Sequence, residues 1–155
     1  TVVGKDCLIM AYVHIAHDCI IGDHVILVNS VALAGHVEIG DYGIVSGLSA
    51  VHQFVKIGAH VMIGGGAMVR KDVPPFITAA GEPLAYAGVN SVGLKRRNFS
   101  QEDINEIQTL YRTLYQSGMN VSQAVNRIKE QHSNRPLADL ILSFIEQSDR
   151  GLIRK

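Results

Sequence analysis

The sequence predicts a β-solenoid followed by a small α-helical domain. Three observations carry this: a six-residue aliphatic period through the first half, a break at Pro74-Pro75, and 3.6-residue apolar stripes after Ser100.

Every sixth residue from Val3 is Val3, Ile9, Ile15, Ile21, Leu27, Leu33, Ile39, Val45, Val51, Ile57, Ile63 and Val69. The chain is 47% hydrophobic. Twelve apolar residues in one of six phases would then arise by chance with a probability of about 0.0007. The fifth place of each hexad is also restricted: from Cys7 through Val73 it holds nothing larger than Val. One large and one small side chain per hexad suit a coil of short strands, with three hexads closing a triangular turn of about 18 residues. Twelve hexads then make about four coils, stacked at ~4.8 Å. Glycine often follows the large residue, as in Ile21-Gly22, Ile39-Gly40 and Ile57-Gly58, and is expected to permit the corner.

Residues 1–75 are therefore assigned to the solenoid, 76–99 to a connection of loop and short strand, and 100–155 to helices. Ser100 caps the first helix, Ile104, Ile107, Leu110, Tyr111, Leu114 and Tyr115 form its stripe, and Gly118 stops it. A second helix carries Val121, Ala124, Val125 and Ile128. A third follows Pro136, with Leu137, Leu140, Ile141, Phe144 and Ile145. Such a bundle would cover the open end of the solenoid.

Fourteen basic residues balance fourteen acidic ones, which argues against a nucleic-acid binder. No apolar run approaches the ~18 residues of a membrane span. The start carries no basic-then-apolar leader. Cys7 and Cys19 fall twelve residues apart in inward fifth places and read as buried fillers rather than a disulfide. A reducing, cytoplasmic setting is expected. The chain does not begin with Met and its repeat is already running at Val3, so a longer parent is expected.

Residues 18 apart stack in columns. His17, Gly35 and Gln53 share one; Asp18, His36 and Phe54 share the next; Ala16, Ala34 and His52 lie on the other side. His17, His36 and His52 thus gather along one edge, with His14 just before them, while His24 and His60 share a different column. Histidine accepts a proton near neutral pH, and Asp18 beside His17 can orient a ring. The edge suits a general-base site. An oligomer interface or a metal site would use the same residues. Gly64-Gly65-Gly66 lacks the Lys-Ser or Lys-Thr of a phosphate loop and reads as a corner, or as an open slot for an extended chain. Lys95-Arg96-Arg97 is the one three-residue basic run, and guanidinium groups suit phosphate.

Several motifs resemble those of the acyl-carrier-protein–UDP-N-acetylglucosamine O-acyltransferases: His14-Ile15-Ala16-His17-Asp18-Cys19, Leu33-Ala34-Gly35-His36-Val37, Ala50-Val51-His52-Gln53-Phe54, Ile57-Gly58-Ala59-His60-Val61-Met62, Gly93-Leu94-Lys95-Arg96-Arg97 and Arg150-Gly151-Leu152-Ile153-Arg154. The resemblance implies a left-handed parallel β-helix that trimerises. It also implies transfer of an (R)-3-hydroxyacyl chain from acyl carrier protein to the 3-hydroxyl of UDP-N-acetylglucosamine, the first step of lipid A synthesis. No cofactor or metal is implied; the acyl-phosphopantetheine of the carrier is the donor substrate. His17 would be the general base, Asp18 its orienter, and the Gly35 N–H the oxyanion donor. His14, His36, His52 and Gln53 would position substrate, Asn90, Arg96 and Arg97 would hold the nucleotide, and Gly65 would set acyl-chain length, leaving room for a long chain. Val92 departs from the family, which often has an acidic residue there, and the family has further coils upstream. Three rivals share parts of this pattern: the sister N-acyltransferase of the same pathway, a γ-type carbonic anhydrase-like metalloenzyme, and a non-enzymatic scaffold.

Overall fold

The computed structural model describes residues 1–155. Twelve two-residue strands, β1 (Val2–Val3) through β12 (Met68–Val69), recur with the six-residue period and join three parallel sheets. Within each sheet a strand pairs with the one 18 residues on, as in Ile20↔Glu38 and His14↔Ala32. The backbone ladder runs N to O over 17 residues, for example from Leu8 N to Val25 O at 2.9 Å. From Cys19 onward the first and fifth hexad places are buried almost without exception. Small fifth places also close polar gaps. The Cys19 thiol donates to Ala34 O and the Ser49 hydroxyl to Gly64 O, each at 3.2 Å. Both cysteines are free.

The sequence reading of the corners needs correction. Positive φ falls on the fourth place of the hexad, at Asp6, Tyr12, Asp18, His24, Ser30, His36, Tyr42, Leu48, Phe54 and His60, all near +60°, with Gly66 the one glycine among these corners. The glycines of the second place serve another purpose. A Cβ on Gly40 would lie 2.6 Å from Ala59 N, and one on Gly58 2.5 Å from Pro75 N. They permit close stacking of one coil on the next, not the turn itself.

The prism has three edges. The first holds residues 4–6, 22–24, 40–42 and 58–60; the second 10–12, 28–30, 46–48 and 64–66; the third 16–18, 34–36, 52–54 and 70–72. Past Val69 the coil continues two residues short. Val73 bridges Ile57 and Thr78 pairs with Met62, sixteen residues apart rather than eighteen. Val73 therefore stands opposite a first-place residue, not at a fifth place. Strand β13 (Ile77–Ala80) adds to the sheet of Met62–Ile63 and pairs antiparallel with β14 (Ala85–Val89).

Helix α1 (Ser91–Arg96) was not foreseen; it starts at the Asn90 cap inside the stretch expected to be loop or strand. Helix α2 (Gln101–Gln116) follows its Ser100 cap, buries all six residues of the expected stripe, and ends before Gly118 at φ +78°. It packs on β14, and the Tyr111 hydroxyl donates to Pro75 O. The end of the solenoid is thus covered by the hairpin, with α2 behind it. Helix α3 (Val121–Gln131) buries Ala124 and Ile128. Helix α4 (Pro136–Glu146) buries Ala138, Ile141 and Leu142, while Leu140 stands 56% exposed, so its inward face lies off the predicted stripe. The last residues return to the solenoid. Buried Asp72 accepts from Lys56 N at 2.7 Å, from the Ser148 hydroxyl at 2.6 Å and from Arg150 N at 3.3 Å.

Candidate functional site

The third edge carries the expected histidines. His17, Asp18 and His36 come together across one coil step, because the fourth-place residue of each coil sits over that of the last. His17 Nδ1 lies 2.8 Å from Asp18 Oδ2, and His36 Nε2 lies 3.7 Å from the same oxygen. The two imidazoles meet edge to face at 5.2 Å, and His36 stacks flat on Phe54 at 4.6 Å. The hydrogen bond from His17, with the charge of His36 adding to it, holds the Asp18 carboxyl below its ordinary value. Asp18 is then an acceptor, so His17 Nδ1 is the donor. That leaves the Nε2 lone pair of His17 free, as a general base requires.

Gly35 explains where that lone pair sits. A Cβ there would lie 2.6 Å from His17 Cε1 and 2.7 Å from Nε2. The ring occupies the space a side chain would fill. The Gly35 N–H makes no hydrogen bond within the chain. Free N–H groups recur at the third place of other corners. On the first edge, however, aspartates from the next coil take them: Asp23 Oδ1 accepts from Lys5 N and Asp41 Oδ1 from Asp23 N. What distinguishes Gly35 is a free N–H beside a free imidazole nitrogen.

His14, His52 and Gln53 lie on the same wall but make no bond to this group. His14 is exposed in strand His14–Ile15, and His52 Nδ1 faces Gln53 O at 3.2 Å. The three metal-competent ligand atoms of His17, Asp18 and His36 lie within 4.8 Å of one another, on exposed residues. The 2.8 Å contact within that set is the hydrogen bond between His17 and Asp18. His17 and Asp18 are 73% and 62% exposed, and the wall is open in a single chain. The larger cavities lie elsewhere, including one of about 380 Å³ lined by Lys129, His132, Asp139 and Glu146.

Of the residues expected to hold the nucleotide, Asn90 and Arg97 are tied to the first edge. Asn90 is buried as the cap of α1; its Oδ1 accepts from Gly93 N at 3.2 Å and its Nδ2 donates to His60 O at 3.0 Å. Arg97 reaches back to His60 Nδ1 at 3.3 Å, with its guanidinium carbon 5.1 Å from the Tyr42 ring centre. Arg96 is exposed and unpaired, and Val92 is 62% exposed. Gly65 is exposed at a second-edge corner, where a Cβ would meet nothing nearer than 3.6 Å. The first-edge ladder escaped sequence reasoning beyond the shared column of His24 and His60. The spacing His24, Tyr42, His60 was its signal.

A family model described as UDP-N-acetylglucosamine O-acyltransferase, domain 2, matches residues 72–153, and a bacterial transferase hexapeptide model matches residues 1–35. The acyl-[acyl-carrier-protein]–UDP-N-acetylglucosamine O-acyltransferases of Thiobacillus denitrificans and Janthinobacterium sp. are 44% and 48% identical over 99% of this chain. The chain spans about 60% of the length of these curated relatives. The crystal structure of the Francisella novicida UDP-N-acetylglucosamine acyltransferase superposes with a TM-score of 0.96 at 41% identity, covering 100% of this chain and 57% of that one.

Proposed function

The chain belongs to the UDP-N-acetylglucosamine O-acyltransferase family, and from that premise we propose that it supplies the catalytic wall of an enzyme acylating the 3-hydroxyl of UDP-N-acetylglucosamine. The donor is an (R)-3-hydroxyacyl thioester on acyl carrier protein, and the reaction is the first step of lipid A synthesis, in the cytoplasm. The observation that carries the reading is the His17–Asp18 pair lying over Gly35.

The step balances with this chain's own groups. His17 Nε2 takes the proton of the sugar 3-hydroxyl as that oxygen attacks the thioester carbonyl. The carbonyl oxygen becomes an anion and is met by the free N–H of Gly35. The adduct collapses, the C–S bond breaks, and the proton passes from His17 to the departing thiolate. The products are the sugar ester and the carrier thiol, with no oxidant or resident cofactor consumed. Asp18, held ionised, keeps Nδ1 as the donor and stabilises the imidazolium that forms. His14, His36, His52 and Gln53 flank the acceptor, and Gly65 borders the acyl groove.

Assembly as a homotrimer is supported by the placement of the two residue sets. His17, Asp18 and His36 stand on the third edge; Asn90 and Arg97 are tied to the first. One triangular prism cannot bring two of its own edges together, whereas neighbouring copies can. Exposed Tyr12, Ile20, Leu48 and Phe54 supply apolar surface for such packing. The test is acyl transfer by the intact enzyme from a hydroxyacyl carrier, with product mass measured for UDP-N-acetylglucosamine and for the glucosamine acceptor of the sister N-acyltransferase. Ester product from the first acceptor alone supports the reading; amide product from the second replaces it.

A further inference from the structure

We propose that His60 is a positioning residue for nucleotide binding: its ring fixes Arg97 and its main-chain carbonyl fixes Asn90, so one corner residue sets both groups. The inference rests on the reading of Asn90 and Arg97 as nucleotide ligands. Three features of the first edge support it.

The ring of His60 cannot move freely. It stacks between Tyr42 at 5.1 Å and Phe76 at 5.8 Å, with Phe99 edge-on at 5.0 Å. Its Nδ1 faces Arg97 Nη1 at 3.3 Å. An arginine is always a donor, so this contact needs an imidazole with Nδ1 unprotonated. Burial, and then the charge of Arg97, push the His60 pKa down to about 4, against a weaker opposing pull from Asp41. The ring is therefore neutral across the physiological range, with its remaining proton on Nε2 and its Nδ1 lone pair available to the guanidinium.

The second feature is the carbonyl. His60 O accepts from Asn90 Nδ2 at 3.0 Å, which leaves Asn90 Oδ1 to cap Gly93 N at 3.2 Å. Helix α1, which carries Arg96, thus begins on a side chain anchored to the solenoid. The third is the contrast between the two arginines. Arg97 is half-buried and held by His60 and Tyr42; Arg96 is exposed with no partner. A guanidinium has five N–H donors, so one spent on His60 leaves others to face a phosphate. Pre-ordering a long side chain removes the entropy a ligand would otherwise have to overcome.

The experiment compares three variants of the intact enzyme. His60→Phe keeps the stacked ring and suits the corner, since Phe54 and Phe76 already adopt positive φ here, but it lacks the acceptor. His60→Asn tolerates the same φ and returns an acceptor oxygen near the Nδ1 position. Arg97→Ala removes the donor. UDP is titrated calorimetrically, KM is measured for nucleotide sugar and acyl donor separately, and Tm is recorded. His60→Phe should weaken UDP binding roughly two- to tenfold, the usual cost of ordering one long side chain, with the acyl-donor KM unchanged. His60→Asn should recover most of that loss. Nitrogen NMR of wild type should show His60 Nδ1 unprotonated at neutral pH. Unchanged UDP affinity in His60→Phe while Arg97→Ala binds weakly overturns the inference alone. Equal weakening in His60→Phe and His60→Asn, or a protonated Nδ1, also overturns it. An Arg97→Ala protein that binds UDP as wild type does removes the nucleotide reading of Arg97, and the inference falls with it.

Discussion

On the third edge, a ladder of Asp18, His36 and Phe54 stands open to solvent; on the first edge, His24, Tyr42, His60 and Phe76 form a second ladder that grows more buried toward the carboxyl-terminal hairpin. Both are built on the same corner, with the fourth hexad residue at φ near +60° and each ring laid over the last. Their chemistry diverges because of what surrounds them. Asp18 lies beside His17 on the third edge, and Gly35 opens a space under the ring. On the first edge a cation, Arg97, and two phenyl rings surround His60 and keep it neutral. One backbone device thus yields an exposed imidazole in one place and a fixed one, facing a guanidinium, in another. The sequence period places the rings; their non-repeating neighbours set what they do.

The comparison breaks first at His17. If its free Nε2 is the base, His17→Ala in the intact enzyme should lower turnover roughly 100- to 10,000-fold. Folding should survive, because the side chain is 73% exposed and no core contact is lost. Near-normal kcat in His17→Ala would make the third edge a second structural ladder.

Gly35→Ala sharpens the same point with a single methyl group. The backbone there has ordinary φ, so alanine can take it without strain, but its Cβ would stand 2.6 Å from the His17 ring. The exposed ring must swing away. Displacing a catalytic group by about 1 Å can cost on the order of 100-fold. A large fall in kcat is expected with Tm nearly unchanged. If turnover holds, the position of the ring over Gly35 has no bearing on catalysis.

How much of this could be read beforehand follows from the same contrast. The columns that unite His17 with Gly35, and Asp18 with His36, depend only on an 18-residue coil, and the ladder bonds His17 O to His36 N and Gly35 O to Phe54 N bear them out. Ser100, the α2 stripe and Gly118 are local signals and lie where expected. The features missed depend on distant residues. The coil that continues past Val69 is two residues short, which misplaces Val73 and hides Phe76 and Thr78 from a hexad count. Asp72 gains its role only when Ser148 and Arg150 return to it, and His60 only when Arg97 folds back across 37 residues. Leu140 and Leu142 exchange roles because packing within the bundle, not apolar spacing, decides the buried face of α4.

The second edge bears neither ladder and serves as a control of smaller effect. Gly65 is exposed there, with open space around it. In the proposed trimer this edge would border a groove leading from the histidines. Gly65→Met in the intact enzyme should shift preference toward shorter hydroxyacyl donors while leaving nucleotide affinity alone. Each methylene excluded from an apolar groove forfeits about 0.8 kcal/mol, so two or three of them change the product ratio markedly. Equal ratios of long- to short-chain product in wild type and variant would make Gly65 a corner residue only.

The smallest expected effect is a pH dependence set by the first edge. Folded His60 titrates at about 4, and an unfolded histidine near 6.5. Between those values the unfolded chain binds a proton that the folded chain refuses. Acidification through that window therefore favours unfolding, and the contribution of His60 is complete above pH 6.5. One such group contributes at most about 1.4 kcal/mol per pH unit, and less here because solvent still reaches part of the ring. The groups acting on it are Arg97, which opposes protonation, and Asp41, which favours it; Tyr42, Phe76 and Phe99 are uncharged neighbours. Urea midpoints of wild type and His60→Asn at several values from pH 7 to pH 5 isolate the effect, since the other six histidines are common to both proteins. The wild-type midpoint should fall more steeply on acidification than that of His60→Asn. Coincident slopes for wild type and His60→Asn would mean that His60 takes up its proton in the folded chain as readily as in the unfolded one. The first-edge ladder would then be as open to water as the third.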